Sequence, residues 1–152
     1  MLDQSLLTRN RNINRGFRKL EIWQEAIELY VLVRKEIKSQ ANLPFKTKAQ
    51  IEDSIQSVSS NIAEGYCRRY LKESIQFSNI ALASLGENYS KLFSLVSSGD
   101  ISKEWFDEYD KLHYSLENKT INFIKGMIKK LQNKDIWHTD YQIAEIIEPF
   151  TK

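Results

Sequence analysis

The densest chemistry in this sequence lies in Gly65-Tyr66-Cys67-Arg68-Arg69-Tyr70-Leu71-Lys72, where cations alternate with aromatic rings. Guanidinium and ammonium groups neutralise phosphates, and tyrosine rings offer flat faces on which unpaired bases stack. Tyr66, Arg68, Arg69, Tyr70 and Lys72 therefore form a candidate nucleic-acid site. The same residues also admit a packing role, with the tyrosines covering a bundle end and the arginines paired with acids such as Glu64 and Glu73. A second basic group, Arg9, Arg11, Arg15, Arg18 and Lys19, precedes the first apolar stripe. The lysines at 119, 125, 129, 130 and 134 form a third group, ranked lower because a lysine-rich helix end is usually a solvated face.

Catalytic arrangements are missing. A di-iron bundle needs Glu-x-x-His on two helices, and the nearest approach is the single Asp110-Lys111-Leu112-His113. Neither His113 nor His138 follows an arginine at the spacing used by all-helical HEPN ribonucleases. No phosphate-binding glycine loop, nucleophile elbow or His-Glu-x-x-His occurs. The one cysteine, Cys67, excludes an internal disulfide framework and a thiolate zinc site. No catalytic residue, metal ligand or cofactor is expected.

Two polar pairs share helix faces: Asn61 with Glu64, and Ser84 with Glu87. Side chains three apart are neighbours on a helix, so the pairs could meet as a polar cluster between two helices. With no histidine or cysteine beside these carboxylates in the sequence, they read as a device that sets helix register and the following turn.

The elements that must position these groups are long helices. Five glycines and two prolines punctuate 152 residues, and the intervals carry helical periodicity. Leu20, Trp23, Ile27 and Tyr30, beside Ile22, Ala26, Leu29 and Val33, predict a first helix over 17–39. Ile51, Ile55, Val58 and Ile62 predict a second, ending at Gly65. Leu71, Ile75, Ser78, Leu82, Leu85, Tyr89, Leu92 and Val96 predict a third, closed by Gly99. Ser102 is a natural N-cap for a fourth, with Trp105, Tyr109, Leu112, Leu116, Phe123, Met127 and Leu131 as its stripe. Short links between long helices favour an antiparallel up-down order. Residues 1–16 are polar and basic and read as a flexible arm, 17–134 as the bundle, and 135–152 as a C-terminal extension with a short extra helix. The net charge of +2 means that any attraction to nucleic acid must come from local patches. No apolar run is long enough to span a bilayer, and the start Met-Leu-Asp-Gln-Ser-Leu-Leu lacks the positive charge of a signal peptide, so a cytoplasmic protein without membrane contact is expected.

The run Ser57-Val58-Ser59-Ser60-Asn61-Ile62-Ala63-Glu64-Gly65, followed by Arg68, resembles the central motif of the four-helix-bundle proteins encoded in intervening sequences of bacterial large-subunit ribosomal RNA genes. Phe17, Leu20, Trp23 and Ala26 fit the same family, as does Ile80-Ala81-Leu82-Ala83-Ser84-Leu85-Gly86-Glu87, so the resemblance covers roughly residues 17 to 131. It implies an antiparallel bundle assembling as a ring-shaped homopentamer. That architecture is similar to the accessory protein of diversity-generating retroelements, which binds a reverse transcriptase and nucleic acid. Glu52 and Asp53 stand where relatives commonly carry arginines, and Ser59 where a proline is common, which turns attention away from the second helix as a nucleic-acid surface.

Together these readings give an all-α, non-enzymatic homo-oligomer that contacts RNA or DNA, or a nucleic-acid enzyme such as a reverse transcriptase, through Tyr66, Arg68, Arg69, Tyr70, Lys72, Arg11, Arg15, Arg18 and Lys19. Asn61, Glu64, Gly65, Ser84 and Glu87 serve the frame. The alternative is a protein-only scaffold in which Trp105, Phe106 and the apolar tail make subunit contacts.

Overall fold

The structure is a computed structural model, and it describes residues 1–134. Among these the chain is all helical: α1 (Gln4–Thr8), a 3-10 segment (Ile13–Lys19), α2 (Glu21–Ser39), α3 (Phe45–Cys67), α4 (Leu71–Ser97) and α5 (Lys103–Gln132). The expected extension, 135–152, lies outside the described residues.

Helices α2 to α5 run up-down-up-down, each packed on its sequence neighbour, and α2 closes against α5. The core follows the apolar spacing: Ile22, Ala26, Leu29, Val33 and Ile37 from α2, Ile51, Ile55, Val58 and Ile62 from α3, Leu85 and Leu92 from α4, and Tyr109 and Leu116 from α5 are buried. A smaller cluster at one end joins Leu71, at the start of α4, to Ile124 and Met127, near the end of α5.

The breaks have local causes. Ser102 Oγ accepts from the Trp105 amide at 3.2 Å and so satisfies one of the free amides at the start of α5. Gly99 sits at φ +80°, where a side chain would be strained. There the Asp100 amide returns to the Leu95 carbonyl at 2.9 Å and ends α4.

Helix α2 begins four residues later than the periodicity suggests. Leu20 is extended (φ −72°, ψ 124°) and divides the 3-10 segment from the helix, while Phe17 packs edge-on against Trp23 at 5.3 Å. Phe17 thus joins the bundle from outside the helix. The expected arm, 1–16, carries α1 and part of the 3-10 segment, with nearly all its side chains exposed.

The stripe of α5 also differs from expectation. Leu112 and Leu131 are exposed at 41% and 37%, whereas Phe106, His113, Thr120 and Ile124 are buried. Two polar residues occupy that core line because each finds a partner. His113 Nε2 lies 2.8 Å from the Leu85 carbonyl, and Thr120 Oγ1 donates to the Leu116 carbonyl at 2.7 Å. Since Phe106 is buried in its own bundle, it is not free for the subunit contacts expected of it.

Candidate nucleic-acid interface

The α3–α4 link is short because Gly65 lets the two helices approach closely. A Cβ at this position would stand 3.0 Å from Phe77 Cβ and 3.3 Å from the Ser74 carbonyl. Ser74 Oγ donates to the Gly65 carbonyl at 2.8 Å and stitches the junction. Within the link Arg68 turns inward: Nη2 meets Glu64 Oε1 at 2.6 Å, Nη1 lies 4.0 Å from Glu73, and the guanidinium stands 4.6 Å from the Phe77 ring centroid. Its charge is largely answered within the chain, as the packing reading of the sequence described. Arg69 and Lys72 are exposed, and Tyr66 and Tyr70 are half-buried.

The arm and the link meet. The 3-10 segment packs on α3 and α2, and Lys19 Nζ lies 5.8 Å from the Tyr66 ring centroid. Gln24 Nε2 donates to the Arg18 carbonyl at 2.7 Å and holds the segment to α2. Arg18 spends its guanidinium on backbone, donating from Nη1 to the Leu6 carbonyl at 2.8 Å and from Nε to the Arg15 carbonyl at 3.2 Å. Arg11 and Arg15 are exposed.

The up-down order brings the third basic group to the same end, because α5 finishes where α2 and α4 begin. One of its members is already engaged: Lys119 Nζ sits 2.5 Å from both Glu21 and Glu25, and these hydrogen bonds push its ammonium up to about 12. Lys125 and Lys129 stand exposed near the end of α5.

The polar pairs are brought together only in part. Asn61 Nδ2 donates to the Ser57 carbonyl and to Ser57 Oγ, both at 2.8 Å, and Ser57 Oγ lies 2.9 Å from Ser84 Oγ. Asn61 and Ser84 thus share one chain across the α3–α4 seam. Glu64 and Glu87 do not join it; Glu64 pairs with Arg68, and Glu87 with Lys91 at 3.0 Å.

A second polar relay runs deeper along the same seam and was not singled out from the sequence. Asn88, fully buried, donates through Nδ2 to Ser54 Oγ at 3.0 Å and to the Ile51 carbonyl at 3.2 Å, and its Oδ1 accepts from the Tyr109 hydroxyl at 2.8 Å. Burial pushes the Tyr109 phenol far above its ordinary range. The available signal was Asn88 four residues after Ser84 on the same face. These small and polar side chains let α3 and α4 lie close and fix their register.

Among the described residues no group of acids, histidine and cysteine could hold a metal ion, and no helix is long and apolar enough to cross a membrane.

Comparison with known proteins agrees with this architecture. A family model described as 23S rRNA-intervening sequence protein matches residues 18–122. Among solved structures, a crystal structure of a protein with unknown function from the S23 ribosomal protein family of Bacteroides thetaiotaomicron has a TM-score of 0.65 at 24% sequence identity. That likeness covers 68% of this chain and 98% of the other, and at such identity it speaks for the fold. Among curated proteins none matches this sequence.

Proposed function

This chain belongs to the 23S rRNA-intervening sequence protein family, and from that footing we propose that it is a non-enzymatic, self-associating protein that binds single-stranded or structured RNA through one end of its bundle. The observation that carries the reading is the gathering of three basic groups at that end. The 3-10 segment touches the α3–α4 link through Lys19 and Tyr66, and the α5 terminus packs against the start of α4. Arg69, Lys72, Lys125 and Lys129 are exposed there, beside rings able to stack on bases. Self-association, as a homopentamer by resemblance, repeats the surface and turns modest single contacts into avidity. A nucleic-acid enzyme such as a reverse transcriptase is a further partner of the same surface.

The inward pairing of Arg68 and of Lys119 favours a second reading, a protein-only scaffold whose cations serve its own fold. Salt separates the two. Phosphate contacts on a single strand lower the log–log salt slope by about 0.7 each, so Arg69→Ala with Lys72→Ala is expected to flatten it by about 1.4 per bound chain. The test is light scattering for mass, coupled to co-elution with labelled single-stranded RNA at low and high salt. An assembly that carries RNA only at low salt, and less of it in the double variant, supports binding. An assembly indifferent to RNA at every salt concentration leaves the scaffold.

A further inference from the structure

Between α1 and the 3-10 segment lies a cleft of about 800 Å³ lined by Arg11, Arg15, Arg18 and Lys19 among others. That volume is in the range of sites that hold nucleotide-sized ligands. Neither an acid nor an aromatic ring is among the described residues that line it. Asp3 is occupied in capping α1 through the Ser5 amide at 2.9 Å, and Glu21 and Glu25, which follow the basic run in sequence, pair with Lys119.

The four cations differ in what they already do. Arg18 ties α1 to the 3-10 segment through the Leu6 and Arg15 carbonyls and so braces the walls. Lys19 stands over Tyr66 at the rim. Arg11 and Arg15 make no ion pair among the described residues. Two guanidinium forks line one concavity with no acid among its described lining residues, and their donor geometry suits phosphate oxygens. Gln4 and Asn12 also line the wall, and Gln24 holds it to α2 through the Arg18 carbonyl. With no ring among the described lining residues and Tyr66 only at the rim, recognition falls on the phosphates.

We propose that this cleft binds a compact polyphosphate, two or three linked phosphates, supplied either by a free nucleoside triphosphate or by the 5′-triphosphate end of a strand. The inference stands on the concavity and deepens the RNA reading at its arm, one of that reading's three basic groups; tripolyphosphate, which offers no strand to the link or to the end of α5, tests the cleft apart from it.

The test titrates the full chain by calorimetry with inorganic tripolyphosphate, ATP, and a short RNA carrying either a 5′-triphosphate or a 5′-hydroxyl. Tripolyphosphate is expected to bind at one site per chain. Arg11→Gln with Arg15→Gln is expected to weaken it by about tenfold or more, as loss of charge-assisted hydrogen bonds would. Lys46→Gln with Lys48→Gln, at the opposite end of the bundle, removes equal charge and should leave binding unchanged. Both arginines are exposed, so the variant should keep its helical circular dichroism. ATP binding as tightly as tripolyphosphate identifies a free nucleotide as sufficient; tighter binding of the 5′-triphosphate RNA identifies a strand end. Absence of tripolyphosphate binding, or equal weakening by the lysine pair, overturns the proposal. RNA bound equally well with a 5′-hydroxyl, together with no tripolyphosphate binding, overturns the cleft while leaving the RNA surface standing.

Discussion

The Asn88–Tyr109 contact offers a quantitative test of the α3–α4–α5 seam. Asn88 is fully buried and Tyr109 equally so, joined by a 2.8 Å hydrogen bond. Tyr109→Phe leaves Asn88 Oδ1 without its donor, at a cost of about 1–3 kcal/mol for an unsatisfied buried acceptor. Asn88→Leu, with the same number of side-chain heavy atoms and the same branching, leaves the Tyr109 hydroxyl without an acceptor at a comparable cost of about 1–3 kcal/mol. It harms little else, because Ser54 Oγ keeps its bond to the Ile51 carbonyl at 2.9 Å. In the double variant no polar atom of this pair remains, so its stability should return to within about 1 kcal/mol of the parent. The coupling in the double-mutant cycle should therefore be at least about 1 kcal/mol, with the double variant more stable than the sum of the singles. Urea unfolding followed by far-ultraviolet circular dichroism measures it, at one fixed protein concentration because self-association raises apparent stability. Simple addition of the two losses would refute the relay.

Further outcomes follow from the same geometry. Gly65→Ala places a methyl 3.0 Å from Phe77 Cβ and should cost about 1–3 kcal/mol, read from denaturation midpoints. Gly86→Ala, in α4 with nothing within 4 Å of the new methyl, should instead stabilise by about 0.5–1 kcal/mol. The buried Tyr109 phenol keeps its proton above the pH at which the unfolded chain loses it, from its ordinary value of 10.0. Unfolding then releases a proton, so Tyr109's contribution to stability is full below pH 10 and falls as pH rises beyond it. Melting temperatures across that range should fall less steeply in Tyr109→Phe than in the parent. Lys119→Met strands Glu25, one of whose oxygens is buried without a donor. The variant should melt lower at low salt, by a margin that narrows as salt screens this partly exposed site.

How far the sequence spoke for the fold depended on what each residue could reveal by itself. Gly99, Ser102 and the apolar spacing of α2 and α3 placed breaks and faces well, because capping and burial there are set by local chemistry. The start of α2 was missed since Leu20 breaks the helix by taking an extended backbone, while Phe17 keeps an apolar contact that mimics helical spacing. The stripe of α5 was misread for a different reason. Hydrophobic spacing favours Leu112 and Leu131, and it cannot show that His113 will find the Leu85 carbonyl or that Tyr109 will find Asn88 on another helix.

The candidate site was legible in type and not in arrangement. Tyr66, Arg68, Arg69, Tyr70 and Lys72 stood out by alternation, and the arm by its arginines. Nothing in the order of residues shows that Arg68 turns toward Glu64 and Phe77, leaving Arg69 and Lys72 as the exposed cations of the link. Nor does spacing reveal that Lys19 reaches Tyr66, or that Arg18 braces α1 to create a basic concavity. Those contacts depend on the up-down order, which gathers the start of α2, the ends of α3 and α5 and the start of α4.

The most direct measurement is ultraviolet crosslinking of an oligouridine to the assembled protein at low salt, with the adducts located by mass spectrometry. Adducts on peptides bearing Tyr66, Tyr70 or Phe17, lost as salt is raised, are the expected result. Adducts at the opposite end, around Phe45 or Phe93, or none at all from a correctly assembled protein, would contradict the assignment of this end of the bundle as the RNA-binding surface.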